Sequence, residues 1–444
     1  MRAIPLAFAA AFLVAPAAAF AEEADPILDL DRAAVVKVAP RPIDQVRRVA
    51  AQALEQRMGV PGAWLLAPRA QGTFRLAVVP VEFKDARRDT RFTDDHLRRA
   101  LFSRGEYTGE SPSGERVFGS MADYYAENSC GRFALEGEVL KTAEVRAPRA
   151  DIGRMFAPLA WARFLGDALA SLSARAGADA LDPFDAVAFV IAGDHGPPAS
   201  VLWPHANVIP YRGRLLRYYV MSEKEGGKFA AVGVHCHEFG HVLGILDKYG
   251  VGHPAGVGVF CVMAIGGQAT GSAGRHRPLH FCAVCKEKLG WLDPVTVDPR
   301  VAQRLRLRGV EGRPGEALKV LVSKSGSEYF LLENRRRAGF DSGFPRAGLL
   351  IWHVGEWGQR LRNRLPFYDL DLEEAHGQDG RDGPFKDLAR VPFPLPGANG
   401  FTPQTKPSSR SVRPGALPVW ITEIAEDGES ITLRIGRARR AGWF

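Results

Sequence analysis

The stretch His237-Glu238-Phe239-Gly240-His241, followed by Gly244 and Asp247, constrains this chain more than any other. The residues around it, Ala231 to Gly244, read as a helix. At about 100° per residue the two histidines stack one turn apart on a single face, with Glu238 beside them. Two imidazoles at that spacing can bind one zinc ion while the neighbouring carboxylate, as general base, reaches its bound water. A catalytic zinc then needs a third protein ligand and a free fourth position. On a continuing helix Asp247 would lie about 240° from His241 and could not share its metal. A reversal at Gly244, where positive φ costs little, would bring it back. The full pattern is therefore H-E-x-x-H-x-x-G-x-x-D, with Glu287 competing as third ligand from a later helix. His235, about 200° from His237, belongs to the far side of the helix and is expected to be structural or surface-facing.

Met263, in Cys261-Val-Met-Ala-Ile-Gly-Gly267, fits the tight turn whose methionine packs beneath the zinc ligands in metzincins. Taken together, His237 to Asp247, Met263 and Leu279-His-Phe-Cys-Ala-Val-Cys-Lys-Glu-Lys-Leu-Gly-Trp-Leu292 resemble the immune inhibitor A family of secreted bacterial metallopeptidases. Upstream, the run at 74–83 and Asp123-Tyr-Tyr-Ala-Glu-Asn-Ser-Cys-Gly-Arg-Phe133 are similar to that family's catalytic half. Downstream, Gly348-Leu-Leu-Ile-Trp-His-Val354 and Gly400-Phe-Thr-Pro-Gln-Thr405 are similar to its β-domain. The resemblance implies an M6-like peptidase of metzincin type, zinc, protein substrates, and Asp247 as the third ligand.

The cysteines depart from that family. Four of the five, Cys236, Cys261, Cys282 and Cys285, lie close to the motif, and only Cys130 stands apart. The layout Cys-x-Met then Cys-x-x-Cys is similar to archaemetzincins, which implies a second, structural zinc. Such a zinc would need Cys236, His253 or His280 as its fourth ligand, and Lys248 stands where that group carries a cysteine. In an exported protein clustered cysteines more often form disulfides. The expectation is a disulfide between Cys261 and either Cys282 or Cys285, with a structural zinc as the alternative. Calcium is a further cofactor the family resemblance raises, but the acidic run Asp369, Asp371, Glu373, Glu374, Asp379, Asp382 reads as a solvated loop.

The rest of the chain sets the frame. Arg2, the apolar run Ile4 to Ala19 and Ala19-Phe20-Ala21 read as a signal peptide over residues 1–21. The run falls short of a full membrane span, so a secreted or periplasmic protein without stable membrane insertion is expected. Residues 22–70, with a helical pattern from Ile43 to Met58, form an N-terminal extension or propeptide. Strands at 74–83 (Pro80 marking a bulge or edge), 185–192 and 215–220 alternate with helices near 94–102 and 121–126. That alternation indicates a mixed sheet layered on helices. The strand ending at Tyr219-Val220-Met221 is a candidate to pair with an extended substrate. Beyond Trp291, short strands separated by turns give the pattern of a β-sandwich or barrel, interrupted by an insertion from Glu356 to about Arg413.

The expected fold is therefore α+β: a metzincin-like zinc-peptidase domain over 71–295, with a mixed sheet over an active-site helix, then a β-sandwich-like domain over 296–444. Net charge is +8, but the arginines are scattered without interleaved aromatics, so nucleic acid is a poor partner. The expected function is a secreted zinc endopeptidase using Glu238 as general base, with Tyr249 an auxiliary donor. The alternatives are a zinc-retaining cell-envelope binding protein without turnover and a zinc hydrolase of peptidoglycan peptides.

Overall fold

The computed structural model describes residues 26–30, 35, 37, 70–154, 157–198, 200–249, 256–267, 275–355, 370–377, 387–411 and 414–437. The signal-peptide and Ile43–Met58 expectations, like His253, Asp369, Asp379 and Asp382, lie outside these residues.

The apolar run at 74–83 forms the strand Gly72–Phe83, the centre of a six-stranded mixed sheet. It runs parallel to Phe133–Val139 and Ala143–Val145 on one side and to Ala186–Ile191 on the other. Arg214–Ser222 continues the parallel order, and His205–Tyr211 closes the sheet antiparallel. Pro80 sits inside this strand rather than at an edge. Pairing on one side stops at Val78↔Val139 and resumes at Val81↔Ala143, so the missing N–H falls where the partner strand changes.

Alternation along these strands serves two cores. Phe74, Leu76, Val78, Ala188, Tyr219 and Met221 face the helix Val232–Val242, which carries His237 and His241, and its surroundings. Ala77, Val79, Val81, Phe189 and Val220 face the opposite way, onto the long helix Ala157–Ala176 through Ala160, Phe164, Ala168 and Leu172. That helix repeats its apolar residues every four positions, the spacing of one buried stripe.

Two further sheets follow. One is five-stranded, in the order Val295–Val297, Ala317–Leu321, Glu328–Arg335, Gly348–Gly355, Leu370–Leu372. The other joins Ile27–Asp29, Gln303–Leu307, Ser430–Ile435 and Ile421–Asp427. Every residue of Glu328–Arg335 and Gly348–Gly355 is buried, because both faces of the pair are covered. Tyr329, Leu331, Leu350, Trp352 and Val354 join the core that holds the helix Val232–Val242. Phe330, Leu332, Leu349 and Ile351 meet Leu305, Ile421, Ile431 and Leu433 of the second sheet. One apolar cluster thus runs across residue 295 without interruption.

The acidic run is not the solvated loop expected of it where it is described. Asp371 is paired in a strand opposite His353, and Glu373 and Glu374 are buried. Glu328 and Glu373 flank the buried His353, at 2.8 Å and 3.4 Å from its two ring nitrogens. Burial of the ring is outweighed by these two carboxylates, which raise it to about 9. The glutamates are therefore held inward by a charge of opposite sign. Among the described residues, this run does not gather into a metal-type cluster. No helix among the described residues is long and apolar enough to cross a membrane.

Candidate metal centre

The helix Val232–Val242 is buried almost throughout, and aromatic rings hold it in place. Phe239 stacks edge-on against Phe74 at 5.2 Å and Tyr125 at 5.0 Å. The Tyr125 hydroxyl donates to the Cys236 carbonyl (2.7 Å), and the Tyr124 hydroxyl donates to the Leu279 carbonyl (2.8 Å). These two tyrosines stand in the stretch 123–133 that resembles a catalytic half, and their task here is to clamp the helix. His235 faces away from the histidine pair, is buried, and lies 3.1 Å from the Tyr219 hydroxyl.

The helix ends at Gly244 by a left-handed turn, φ +88°. The Gly244 N–H donates to His241 O (2.8 Å) and the Ile245 N–H to Gly240 O (3.1 Å). This paired 5→2 and 6→1 closure is the Schellman arrangement, and glycine is the residue that adopts it without strain. The reversal carries Ile245 O to 2.7 Å from His241 Nδ1 and returns Asp247 to the histidines.

Asp247 Oδ1 stands 3.1 Å from His237 Nε2 and 3.2 Å from His241 Nε2, and the two nitrogens are 3.2 Å apart. Nitrogen and oxygen ligands about 2.0–2.2 Å from a tetrahedral ion would lie ~3.3 Å from one another, so the three atoms fit a common cation. Each imidazole donates its Nδ1–H to a backbone carbonyl, His237 to Val262 O (2.8 Å) and His241 to Ile245 O (2.7 Å). That fixes the tautomer and aims both Nε2 atoms at the shared point.

Asp247 Oδ1 and Glu238 Oε2 are buried oxygens without a hydrogen-bond donor in the protein, the chemistry of a site built around a cation and a water. Burial opposes ionisation of Asp247, but the His237 and His241 rings beside it hold its carboxyl below the usual carboxylate range. Burial pushes the Glu238 carboxyl up to about 7; the neighbouring His237 opposes this and Asp247 adds to it. The two carboxyls of the centre thus sit in environments that pull their acidities in opposite directions.

The other candidates separate. Glu287 points elsewhere, to Lys319 and the Tyr329 hydroxyl, and does not reach the histidine pair. The Tyr249 ring lies 6.0 Å from the His237 ring and nearly parallel to it. Met263 is fully buried beneath the helix in the turn Val262–Gly266. Its side chain fills the space a Cβ on Gly240 would need, with Met263 Cε and Phe281 Cζ each 3.2 Å from that point. Gly240 is an unspecified position of the motif, yet close packing against the methionine requires it. The signal was present as a glycine in mid-helix, which costs about 1 kcal/mol against alanine.

Two expectations need correction. The strand Arg214–Ser222 is paired on both sides over 217–220, so Tyr219 and Val220 cannot accept an added strand. The expected disulfide is absent: all five cysteines are free thiols. Cys261 and Cys282 lie 3.8 Å and 3.5 Å from the Cys285 sulfur, facing a common centre rather than forming one bonded pair.

No curated protein matches the chain. Residues 216–291, from the strand before the helix to Trp291, match the family model described as immune inhibitor A peptidase M6, catalytic domain. The segment that assembles the His237, His241 and Asp247 centre is therefore that of an immune inhibitor A-like metallopeptidase of the M6 family, a hydrolase of protein or peptide substrates.

Proposed function

We propose that the chain is an exported zinc-dependent endopeptidase of metzincin type. Its catalytic part would be residues 71–295, followed by a sandwich-like β-domain over 296–444. The observation that carries this reading is the convergence of His237 Nε2, His241 Nε2 and Asp247 Oδ1 beside a buried, partnerless Glu238 oxygen. His237, His241 and Asp247 would hold zinc, and Met263 would floor the site. Zinc supplies Lewis acidity when bound, bringing a water's pKa toward neutrality and polarising the scissile carbonyl.

Glu238 takes a proton from the attacking water and returns it to the departing amine. A carboxyl buried to an acidity near neutrality suits both halves of that transfer, since it neither holds nor releases the proton too firmly. The backbone acceptors Val262 O and Ile245 O hold each ring by its Nδ1 and keep both Nε2 atoms turned to the shared point. Tyr249, whose ring lies 6.0 Å from that of His237, would serve as an auxiliary donor to the developing oxyanion. Residues 1–21 as a signal peptide and 22–70 as a removable extension complete the proposal. A binding protein that merely retained zinc would have no use for a buried base beside the ligands.

The test is purified full chain carrying Glu238→Gln against wild type, assayed on casein and a peptide library, with zinc content and folding measured in parallel. The variant should keep its zinc and its fold and lose at least ~10²-fold in cleavage rate. Undiminished cleavage would overturn the mechanism. Wild type with stoichiometric zinc and no turnover, before and after removal of residues 22–70, would overturn the peptidase reading.

A further inference from the structure

The centre described above leaves Cys261, Cys282 and Cys285 without a task. Their side chains are wholly buried, and their three sulfurs all lie within 4.8 Å of one another. A cysteine inside a core is ordinarily a small apolar residue, and Cys236, equally buried, stays out of the group. The other three instead meet at one point from two separate segments. Cys261 comes from the loop just before Met263, and Cys282 and Cys285 begin the helix Ala283–Leu289.

Sulfurs held ~2.3 Å from one tetrahedral cation would be ~3.8 Å apart, whereas a disulfide requires ~2.0 Å. The observed separations, 3.8 Å for Cys261–Cys285 and 3.5 Å for Cys282–Cys285, match the first figure and exclude the second. The Cys282 backbone N–H also points at Cys261 Sγ, at 3.4 Å, the kind of donor that steadies a metal-bound thiolate. His280 is not a member. Its Nε2 is bonded to Glu127 (2.7 Å) and its Nδ1 faces Lys286 and Asp341. Among the described residues no fourth His, Cys, Asp or Glu joins the three sulfurs.

We propose that Cys261, Cys282 and Cys285 form a second metal site, distinct from the histidine centre, that takes a thiophilic divalent cation of the zinc type. Loading exchanges three thiol protons for the cation and ties two segments of the core together. The loop it ties carries Val262, whose carbonyl orients His237, and Met263, which floors the helix. The cysteine site is therefore a brace for the histidine centre, set in the buried core from which His237 takes its orientation.

The proposal does not depend on peptidase activity, and its test reads sulfur coordination directly. Full-length His237→Ala/His241→Ala protein, which lacks the histidine centre, is reduced and titrated with Co²⁺ and, separately, Zn²⁺. One Co²⁺ per chain should bind with a sulfur-to-cobalt charge-transfer band, against two per chain in wild type. Zn²⁺ should displace it, and the band should be absent from Cys282→Ser/Cys285→Ser. Because that last variant could fail to fold, thiols are also counted in unreduced wild type after unfolding in chelator. Five should react. A count of three would mean a disulfide and would overturn the proposal. A histidine-less variant that binds no Co²⁺, or binds it without the sulfur band, would overturn it equally.

Discussion

Replacing Gly240 by alanine sets two known magnitudes against each other at the floor of the metal centre. In a helix interior alanine is favoured over glycine by about 1 kcal/mol, so propensity alone makes Gly240→Ala stabilising. Packing opposes it. The new Cβ would overlap the Met263 sulfur and press on Met263 Cε and Phe281 Cζ, each 3.2 Å away. Met263 and Phe281 are fully buried, so neither can swing into solvent. Forcing a methyl group into such a core costs about 1–3 kcal/mol, and the net expectation is a loss of up to ~2 kcal/mol. Met263→Ala alone should cost about 2–5 kcal/mol by leaving a cavity. The double variant should lose less than the sum, because the new methyl occupies part of the space the methionine vacates. The assay is the urea midpoint of wild type, both single variants and the double variant, followed by tryptophan fluorescence with zinc held constant. A Gly240→Ala midpoint above wild type would refute the packing argument, as would strict additivity in the double variant.

Gly244→Ala places a Cβ at φ +88°, where an L-residue pays about 1–2 kcal/mol. It should weaken zinc binding by loosening Asp247, and Gly244→Asn should weaken it less; competitive zinc titration decides. Asp247→Ala should reduce zinc affinity by more than the ~10–100-fold typical of losing an outer-shell partner, and unchanged affinity would remove Asp247 from the site. Burial raises Glu127 from 4.5 to about 7, with the Phe340 amide opposing and Asp341 adding to it. A carboxyl raised on folding contributes stability below its unfolded value that is lost as pH climbs through the folded value. Melting temperature should therefore fall as pH rises from about 4.5 to about 7. Glu127→Gln, which keeps a side-chain carbonyl for the Phe340 N–H, should flatten that fall.

The centre was legible because its chemistry is local. Helical periodicity placed His237 and His241 on one face, and a glycine at 244 marked the only place where the chain could turn back. The strands at 74–83, 185–192 and 215–220 announced themselves by predominantly apolar runs, which is what burial on two faces demands. The edge strand His205–Tyr211 did not, because it is half exposed, carries Pro210, and gains its identity from pairing with Arg214–Ser222. The helix Ala157–Ala176 had its stripe at Ala160, Phe164, Ala168 and Leu172, but alanine-rich spacing carries a weak signal. The cysteines misled for a different reason. Spacing can say that three thiols will be near one another, but the angle at which they meet is set by segments more than twenty positions apart. The inward turn of Glu373 likewise depends on a partner, His353, in another strand.

The strands Glu328–Arg335 and Gly348–Gly355 divide their side chains between two cores, one of which also holds the histidine helix Val232–Val242. For unfolding this means that no seam exists at which the chain can come apart cheaply. A fragment ending near residue 295 would uncover the helix Ala283–Leu289, which now packs on these two strands. The amides of these two strands should therefore be among the slowest in the molecule to exchange with deuterium, and to share their protection with the histidine helix. Sequence order puts them after the peptidase segment, but energetically they are its foundation.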